Sequence, residues 1–430
     1  MRIKNLFSAI KRNALMYGRN SFLFVIDGIF INAAIILTTS AFLTGFFVEI
    51  NASDFVIGIV NTAYVWAPVT ALFSSFIYAK LKNIKRFLII LNLISRFLVC
   101  FIVFLPIVLR NNAVLVNLAM IMVITGYIFW SIYSVGSNIW MMSSMPRTIR
   151  PAFVYRRMIC LRISYTITSI VMGFVLDQFT DRILGFIVVF MISMLFSVLD
   201  VLVLTRIPYD NESGRVRDVN TMVPSLLLAP FKDKVYNRFL IFIFVFYLSV
   251  YTSYSYTSLY LLKYMKFPYG FVSIVYVVSY IASIMSVMLW RAIEKKKGTV
   301  FAFRCTAVVY LMELFLYFFL FNQNVWIPLI AGALSGIGTG GLNIIVFTYR
   351  YEIMPEDNCT NYETWFMVIQ GLAIMLGPII GGTVRPLLQT FNFAGTSISN
   401  FQQMYLISVI IGGAAIPLCL KMNKKRILEK

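Results

Sequence analysis

Long apolar segments with almost no charge recur along the chain, and they form two sets of six on either side of a polar stretch at 206–238. A helix needs about 20 apolar residues to cross the hydrocarbon core of a membrane. Because backbone polar groups in lipid must be satisfied within the segment, each of these segments predicts a transmembrane helix. The twelve predicted spans are 21–48, 53–78, 87–109, 113–140, 158–180, 183–205, 239–262, 269–290, 299–320, 327–349, 362–383 and 402–420.

This pattern predicts an all-α integral membrane protein with twelve transmembrane helices in two six-helix lobes. The N-terminal lobe is expected at 1–205, a cytoplasmic linker at 206–238 and the C-terminal lobe at 239–430. The apolar part of a cleavable signal peptide is about 7–15 residues long, so the longer segment at 21–48 predicts a retained first helix. Two sets of six helices are a known design of transporters.

The composition supports the membrane assignment and removes several enzyme classes. The chain is 60% hydrophobic and 13% charged, with a mean hydropathy of +0.84, whereas soluble proteins are about 45–50% apolar and about 25% charged. Histidine is absent, which excludes a membrane enzyme that relies on a histidine base. No P-loop or GxGxxG motif is present, so we expect no enzyme activity, no cofactor, and energy from an ion gradient or from the gradient of the substrate.

The net charge of +20 is distributed unevenly between the predicted loops. With a cytoplasmic N-terminus, 30 of the 37 Lys and Arg residues lie on the cytoplasmic side and 5 on the other side. Such an asymmetry over short loops sets the orientation of membrane helices. It therefore predicts a multi-pass protein of the cytoplasmic membrane with both termini in the cytoplasm. The basic loops are expected to contact anionic lipid headgroups rather than nucleic acid.

The two halves of the chain show a weak internal correspondence at an offset of about 209 residues. At that offset Pro146 aligns with Pro355 and Gly173 with Gly382. In both halves the proline follows the fourth helix of its set, and a polar turn leads into the fifth. This arrangement indicates parallel repeats of six helices.

Several local motifs strengthen this interpretation. Basic runs follow the second helix at 79–86 and the eighth at 291–298. The linker ends in a charged run at 230–240, a polar connection at 351–362 joins helices ten and eleven, and helix eleven contains a glycine-proline motif at 377–382. With these motifs the whole chain resembles the major facilitator superfamily. The resemblance implies that helices one, four, seven and ten line a central cavity and that helices three, six, nine and twelve support the lobes from outside it.

The chain departs from the superfamily at the motif that follows helix two. Where that motif has a glycine, an acidic residue and a second glycine, this chain has Ser75, Ala79 and Asn83. The charge relay that the motif provides in the family is therefore not implied here.

Charged residues within the predicted spans are the first candidates for function, because a charge in the membrane is costly and usually faces a cavity or a partner. Asp27 lies about two turns into helix one, and Arg96 lies near the middle of helix three. We expect the two to be close enough to pair, with Asp27 as a substrate or proton site. The alternative is a structural ion pair or a residue that reaches the membrane boundary. For Asp200 and Glu313, a structural or interfacial role is favoured.

Tyrosines on helix seven are the second group of candidates. Tyr247, Tyr251, Tyr254 and Ser258 follow steps of four, three and four residues, which places them on one helical face. A tyrosine offers a flat apolar surface and a hydroxyl group. The three tyrosines are therefore predicted to form one side of a site for an organic solute.

Polar faces on two further helices complete the predicted site. Helix four carries Trp130, Tyr133 and Asn138, and helix ten carries Thr339 and Asn343. Hydrogen bonding between helices, which contributes about 0.6 kcal/mol per bond on average, explains these residues equally well.

Three glycines of helix ten, Gly332, Gly336 and Gly340, repeat every four residues. Such a stripe of small residues lets two helices approach closely. We favour a packing role for it over a hinge.

Together these features predict a secondary active transporter of a small polar or amphipathic organic solute that works by alternating access and is coupled to protons or another ion. The protein is expected to be a monomer among membrane lipids. Because a fold does not fix a function, a non-transporting membrane receptor or a lipid-handling protein is the alternative.

Overall fold

The computed structural model describes residues 2–79, 81, 83–145, 150–209, 229–321, 324–355, 359–393 and 396–420. These residues are almost entirely helical and include one short antiparallel hairpin, in which Phe391 pairs with Ile398. In chain order the helices and strands are α1 (Arg2–Leu37), α2 (Ser40–Glu49), α3 (Asp54–Trp66), α4 (Ser74–Ala79), α5 (Ile84–Cys100), α6 (Leu105–Val108), α7 (Asn112–Ser143), α8 (Arg150–Gln178), α9 (Arg182–Thr205), α10 (Ala229–Lys232), α11 (Lys234–Tyr254), α12 (Thr257–Leu259), α13 (Tyr269–Lys297), α14 (Thr299–Phe318), α15 (Trp326–Ile353), α16 (Cys359–Val384), β1 (Phe391–Phe393), β2 (Thr396–Ile398) and α17 (Asn400–Leu420).

Within the described ranges, ten helices are long and apolar enough to cross a membrane. The two other predicted spans, 53–78 and 402–420, are helical as well and correspond to α3 with α4 and to α17. The predicted fold class, an all-α membrane protein, is confirmed, and the helices at the twelve predicted positions are consistent with twelve spans.

The second predicted span differs from a single α-helix. Helix α3 ends at Trp66, a 3₁₀ segment follows at Ala67–Phe73, and α4 begins at Ser74. Pro68 lies in the 3₁₀ segment. Since proline has no backbone N–H and its ring clashes with the preceding turn, a continuous α-helix is unfavourable there.

The described chain divides by its internal contacts into two compact units. The first unit contains residues 1–46 and 70–219, and the second contains 47–69 and 220–430. Residues 210–228 of the predicted linker lie outside the described residues. The predicted lobe boundaries at 205 and 239 therefore stay predictions.

In the first unit, α1 packs against α8 and α9, and α5 packs against α7 and α9. An aromatic and aliphatic core surrounds Trp140, which is fully buried and contacts Phe24 with ring centroids 5.8 Å apart. The indole Nε1 of Trp140 donates a hydrogen bond to the carbonyl of Pro208 at 2.9 Å. This bond satisfies the polar atom of an otherwise apolar buried side chain.

In the second unit, α15 packs against α13 and α14, while α11 packs against α16 and α17. The glycine stripe of α15 faces α13. A Cβ atom on Gly336 would lie 2.0 Å from the carbonyl oxygen of Ser279, and one on Gly340 would lie 2.6 Å from that of Ser283. Backbone therefore meets backbone along this interface, which agrees with the packing role favoured from the sequence.

Helix α3 is held in the second unit by a cluster of charges around its first residue, Asp54. The carboxylate of Asp54 accepts a hydrogen bond from Lys263 Nζ at 2.7 Å and pairs with Arg385 Nη2 at 2.6 Å. The hydroxyl of Tyr264 donates a further hydrogen bond to the same carboxylate. One acidic residue thus joins the start of α3 to two other segments of the unit.

Candidate functional site

Asp27 lies in the middle of a polar cluster in the first unit, which we call the acid cluster (Asp27, Asn92, Arg157 and Asp200). Asp27 of α1 and Asp200 of α9 are 1% and 0% exposed. Arg157 of α8 pairs with Asp27, with 3.0 Å between Nη2 and Oδ2, and its Nε donates to the carbonyl of Phe24 at 3.0 Å. The packing of α1 against α8 and α9 therefore brings both carboxyl groups and an arginine together.

The carboxyl group of Asp200 lies close enough to that of Asp27 for the two to interact electrostatically. Asp200 Oδ2 also accepts a hydrogen bond from Asn92 Nδ2 at 2.7 Å. Across the described part of the chain, no N–H or O–H group donates to Oδ1 of either aspartate. Because two like charges repel at close range in a buried site, this pair of carboxyl groups is a candidate for proton binding.

Arg96 is 1% exposed, its guanidinium carbon lies 3.9 Å from the ring centroid of Trp130, and its charge acts on Asp200. Stacking on an aromatic face is a favourable position for a guanidinium group. Arg157 forms the ion pair with Asp27, and the pairing of Arg96 with Asp27 that the sequence suggested stays a prediction.

The predicted residues of helix four, which is α7 here, lie partly beside the acid cluster. Tyr133 is 2% exposed, lies close to both Asp27 and Asp200, and is hydrogen-bonded to Ser137. Trp130 packs against Tyr133, with ring centroids 5.1 Å apart. Asn138 is exposed.

A second polar feature lies in the second unit, where α11 ends at Tyr254 and α12 begins at Thr257. Near this interruption is a small cavity of about 20 Å³, which we call the tyrosine cavity. Residues of six helical segments line it: Tyr254, Thr257, Leu261, Val275, Tyr276, Ser279, Glu313, Tyr317, Gly332 and Ser335.

Glu313 is the only ionisable carboxyl group among the residues that line the tyrosine cavity. It is 2% exposed and forms a hydrogen bond with Ser335. Its Oε2 has no hydrogen-bond partner among the residues that the structure describes. Six tyrosines lie within electrostatic range of this carboxyl group: Tyr251, Tyr254, Tyr276, Tyr310, Tyr317 and Tyr405.

The predicted tyrosine face of helix seven continues from this cavity along α11. Tyr254 lines the cavity. The ring of Tyr251 contacts the ring of Tyr254, with centroids 5.6 Å apart, and the ring of Tyr247 stacks on that of Tyr251, with centroids 6.3 Å apart. The hydroxyl of Tyr247 is hydrogen-bonded to Gln370. The three rings therefore form one continuous row, as the spacing predicts.

The predicted residues of helix ten, α15 here, are not among those that line the tyrosine cavity. Thr339 donates its hydroxyl to the carbonyl of Ser335 at 2.8 Å within its own helix, and Asn343 is exposed. Ser335 of the same helix lines the cavity instead.

The sequence model of the Major Facilitator Superfamily matches residues 22–378 of the chain. The chain belongs to the major facilitator superfamily. No curated protein sequence matches it.

Solved structures of major facilitator superfamily transporters share the fold of the chain. A mutant form of the nucleoside transporter NupG has a TM-score of 0.72 and 15% identity, covering 95% of this chain and 100% of that one. A bacterial homologue of the iron transporter ferroportin has a TM-score of 0.71 and 14% identity, covering 94% of this chain and 98% of that one. A D-xylose–proton symporter has a TM-score of 0.67 and 11% identity, covering 95% of this chain and 98% of that one. At these identities the likeness concerns the fold.

The sequence analysis did not place Arg157, Asp200 or Glu313 among the residues of a functional site. Arg157 lies one residue before the predicted fifth span, so the sequence groups it with the loops. Asp200 shares a buried face with Ser193 and Ser197, and this polar face at steps of four and three is a usable signal. The sequence also favours a structural role for Glu313, whereas the structure places this residue against a cavity.

Proposed function

We propose that the chain is a proton-coupled secondary transporter of a small polar or amphipathic organic solute, working by alternating access. The observation that supports this proposal best is the close approach of two buried carboxyl groups, Asp27 and Asp200, and we propose that this pair binds one proton. Membership of the superfamily supports transport in general. The acid cluster supports the choice of the proton as coupling ion.

The acid cluster offers a physical route from protonation to a change of helix packing. In this proposal, a proton bound by the pair lets Asp27 of α1 and Asp200 of α9 lie close together. Without it, two negative charges face each other in a site that excludes water, and like charges at such a distance repel strongly. Loss of the proton therefore weakens the contact between α1 and α9, while Arg157 still holds Asp27 to α8. The two conformations then differ in their affinity for the proton. Coupling requires such a difference in affinity between conformations.

The row of tyrosines on α11 supports an organic solute. Sites for small molecules are mostly apolar, with a few polar groups that fix orientation. Tyr247, Tyr251 and Tyr254 provide apolar rings with hydroxyl groups on one face of α11. We propose that Asp27, Arg96, Trp130 and Tyr133 contribute to proton binding at the acid cluster of the first unit. We propose separately that Tyr254 contributes to solute binding in the second unit.

Transport itself is tested with the purified protein in liposomes. A defined mixture of nucleosides, sugars, amino acids and organic ammonium ions is added outside under an imposed pH gradient, and the contents are measured by mass spectrometry. We expect at least one compound to enter beyond the level in protein-free liposomes. Binding of a compound without any flux would support the receptor function instead.

The orientation of the chain gives a second test. We propose that both termini are cytoplasmic, because the basic residues are concentrated on that side. A reporter that is active only in the cytoplasm should give a signal when fused at the C-terminus and none when inserted into the 384–401 loop. Equal signals at both positions would contradict the proposed topology.

Substitutions of Tyr254 test the contribution of its ring. Replacement by phenylalanine removes only the hydroxyl, whereas replacement by alanine removes the ring as well. If the ring contacts the solute, Tyr254→Ala should weaken binding about tenfold or more, which corresponds to about 1.4 kcal/mol, and Tyr254→Phe should have a much smaller effect. Calorimetric titration of the purified variants with the transported solute measures both changes.

The matched control for this series is Tyr260. Its ring is 1% exposed and its hydroxyl donates to the carbonyl of Leu320 at 2.9 Å, but it does not line the tyrosine cavity. Tyr260→Phe should lower the melting temperature and leave the affinity unchanged. If Tyr254→Ala behaves like this control, the ring of Tyr254 has no part in the site.

A further inference from the structure

Arg304 is a charged residue on the uncovered side of the membrane helix α14. This side of the helix is a row of apolar residues that includes Phe301, Val308 and Met312, all of which are exposed. Arg304 follows Phe301 by three residues and precedes Val308 by four, so helical spacing places it in the same row. Arg304 is itself partly exposed. A positive charge therefore lies on the surface that the helix presents to lipid.

No acidic side chain of the described residues forms an ion pair with Arg304. Its Nε atom is buried and has no hydrogen-bond partner among those residues. Two acids lie near the start of α14, but Glu352 accepts a hydrogen bond from the Thr299 hydroxyl at 3.0 Å and Glu294 also lies close to Thr299. Thr299 and Phe301 are on opposite sides of the helix. A charge in a membrane span is costly unless it finds a partner, so the position of Arg304 favours an anion from outside the chain.

The depth of Arg304 allows its guanidinium group to reach the membrane surface. Arg304 is the sixth residue of α14, so its Cα lies about 7.5 Å along the helix from that of Thr299. Helical side chains lean toward the N-terminus of their helix, and a long arginine side chain near a helix end extends to the interface. The phosphate groups of phospholipids lie in this interfacial region.

The end of α13 adds positive charge next to Arg304. Only Gly298, with a φ of 85°, separates α13 from α14. The last three residues of α13 are exposed lysines: Lys295, Lys296 and Lys297. Basic residues are favourable at the C-terminus of a helix because they stabilise its dipole. Lys297 Nζ also lies 4.7 Å from the ring centroid of Phe301, which brings a second cation to the row that contains Arg304.

Exposed apolar side chains continue from these cations toward the middle of the membrane. On α13 they include Met285, Met288 and Leu289, and on α14 they include Val308 and Met312. Cations at the end of an exposed apolar surface match the phosphate and the acyl chains of a phospholipid. A free phosphate ion would use the cations alone. The excess of positive charge favours a headgroup with a net negative charge over a zwitterionic one.

We propose that Arg304 and Lys297 bind the phosphate of an anionic phospholipid, whose acyl chains lie along the exposed apolar row of α14. Arginine suits this role because its guanidinium group can donate two parallel hydrogen bonds to phosphate oxygens. The proposal assigns a defined lipid site, which is more specific than a general attraction of basic loops to the membrane surface. It does not depend on the transported solute or on the coupling ion.

The test uses the purified protein in detergent and a phosphatidylglycerol with a photoreactive group in one acyl chain. After irradiation, mass spectrometry of peptides measures cross-linking to residues 299–318. Unlabelled phosphatidylglycerol should suppress this cross-linking at concentrations at least about fivefold lower than phosphatidylcholine does. Equal competition by the two lipids would overturn the proposal. Suppression by inorganic phosphate at the same concentrations as phosphatidylglycerol would overturn the assignment to a lipid.

Substitutions locate the site within the protein. Arg304→Gln and Lys297→Gln should each lower the cross-linking yield about fivefold, whereas Arg304→Lys keeps the charge and should retain most of it. Arg110→Gln is the control, because Arg110 is an exposed arginine in the connection before α7. This control should cross-link as the wild-type protein does. Undiminished cross-linking of both Arg304→Gln and Lys297→Gln would contradict the assignment. Because Lys297 is exposed and the lipid competition uses the wild-type protein, a folding defect in Arg304→Gln leaves both of those measurements decisive.

Discussion

Solute accumulation driven by a pH gradient is expected to disappear when Asp27 is replaced by asparagine. The substitution keeps the size of the side chain but removes one carboxyl group of the proposed proton-binding pair and the charge that pairs with Arg157. An uncompensated charge in a membrane helix costs at least about 2.5 kcal/mol, so Arg157 should also reduce the stability of the variant. Uptake by purified Asp27→Asn in liposomes, with and without a pH gradient, measures the effect.

Asp200, the neighbour of Asp27 in the acid cluster, allows a second substitution in the same experiment. Asp200→Asn should remove the same gradient-driven accumulation, since both carboxyl groups belong to the proposed proton-binding pair. Asp181→Asn is the control: Asp181 caps α9 by accepting a hydrogen bond from the backbone N–H of Leu184 at 3.2 Å, and asparagine is an equally good cap. Full gradient-driven accumulation by both Asp27→Asn and Asp200→Asn would contradict the role of the acid cluster.

Replacing Gly336 with leucine is expected to prevent the second unit from folding. The Cβ atom alone would lie 2.0 Å from the carbonyl oxygen of Ser279, and that oxygen belongs to the backbone of α13. Overpacking typically costs about 1–3 kcal/mol where side chains can move aside. Here α13 and α15 must separate, so the cost should exceed this range. The amount of monodisperse protein recovered from membranes and its melting temperature measure the outcome.

Gly413 of α17 is the matched control for Gly336, because it is also a glycine of an apolar helix. A Cβ atom on Gly413 would meet nothing within 4 Å. Gly413→Leu should therefore give normal yield and a nearly unchanged melting temperature. Normal yields of both variants would show that α13 and α15 do not meet as closely as the structure indicates.

Features that depend on the chain's own periodicity could be predicted from the sequence. The apolar segments require only that backbone groups be satisfied within a helix, and the row formed by Tyr247, Tyr251 and Tyr254 requires only helical spacing. Both features are present in the structure. The glycine stripe around Gly336 belongs to the same class, because small residues at steps of four on a membrane helix indicate close contact with a neighbouring helix.

Features that depend on packing between distant segments could not be predicted. The choice between Arg96 and Arg157 as partner of Asp27 depends on how α1, α5 and α8 pack, and sequence positions do not define that packing. The grouping of residues 47–69 with the second unit could not be predicted for the same reason, because it depends on contacts between distant segments. For Glu313, depth in the membrane is visible in the sequence, but the small cavity beside it arises from six segments that meet only in the folded chain.

The most direct test of the central claim is to follow protons and solute at the same time. Liposomes that contain the purified protein and a trapped pH indicator receive the defined solute mixture outside, at equal pH on both sides. If the acid cluster couples the two movements, the internal pH should change as the solute enters, and Asp27→Asn should abolish that change. Solute entry by the wild-type protein with no change in internal pH would contradict proton coupling.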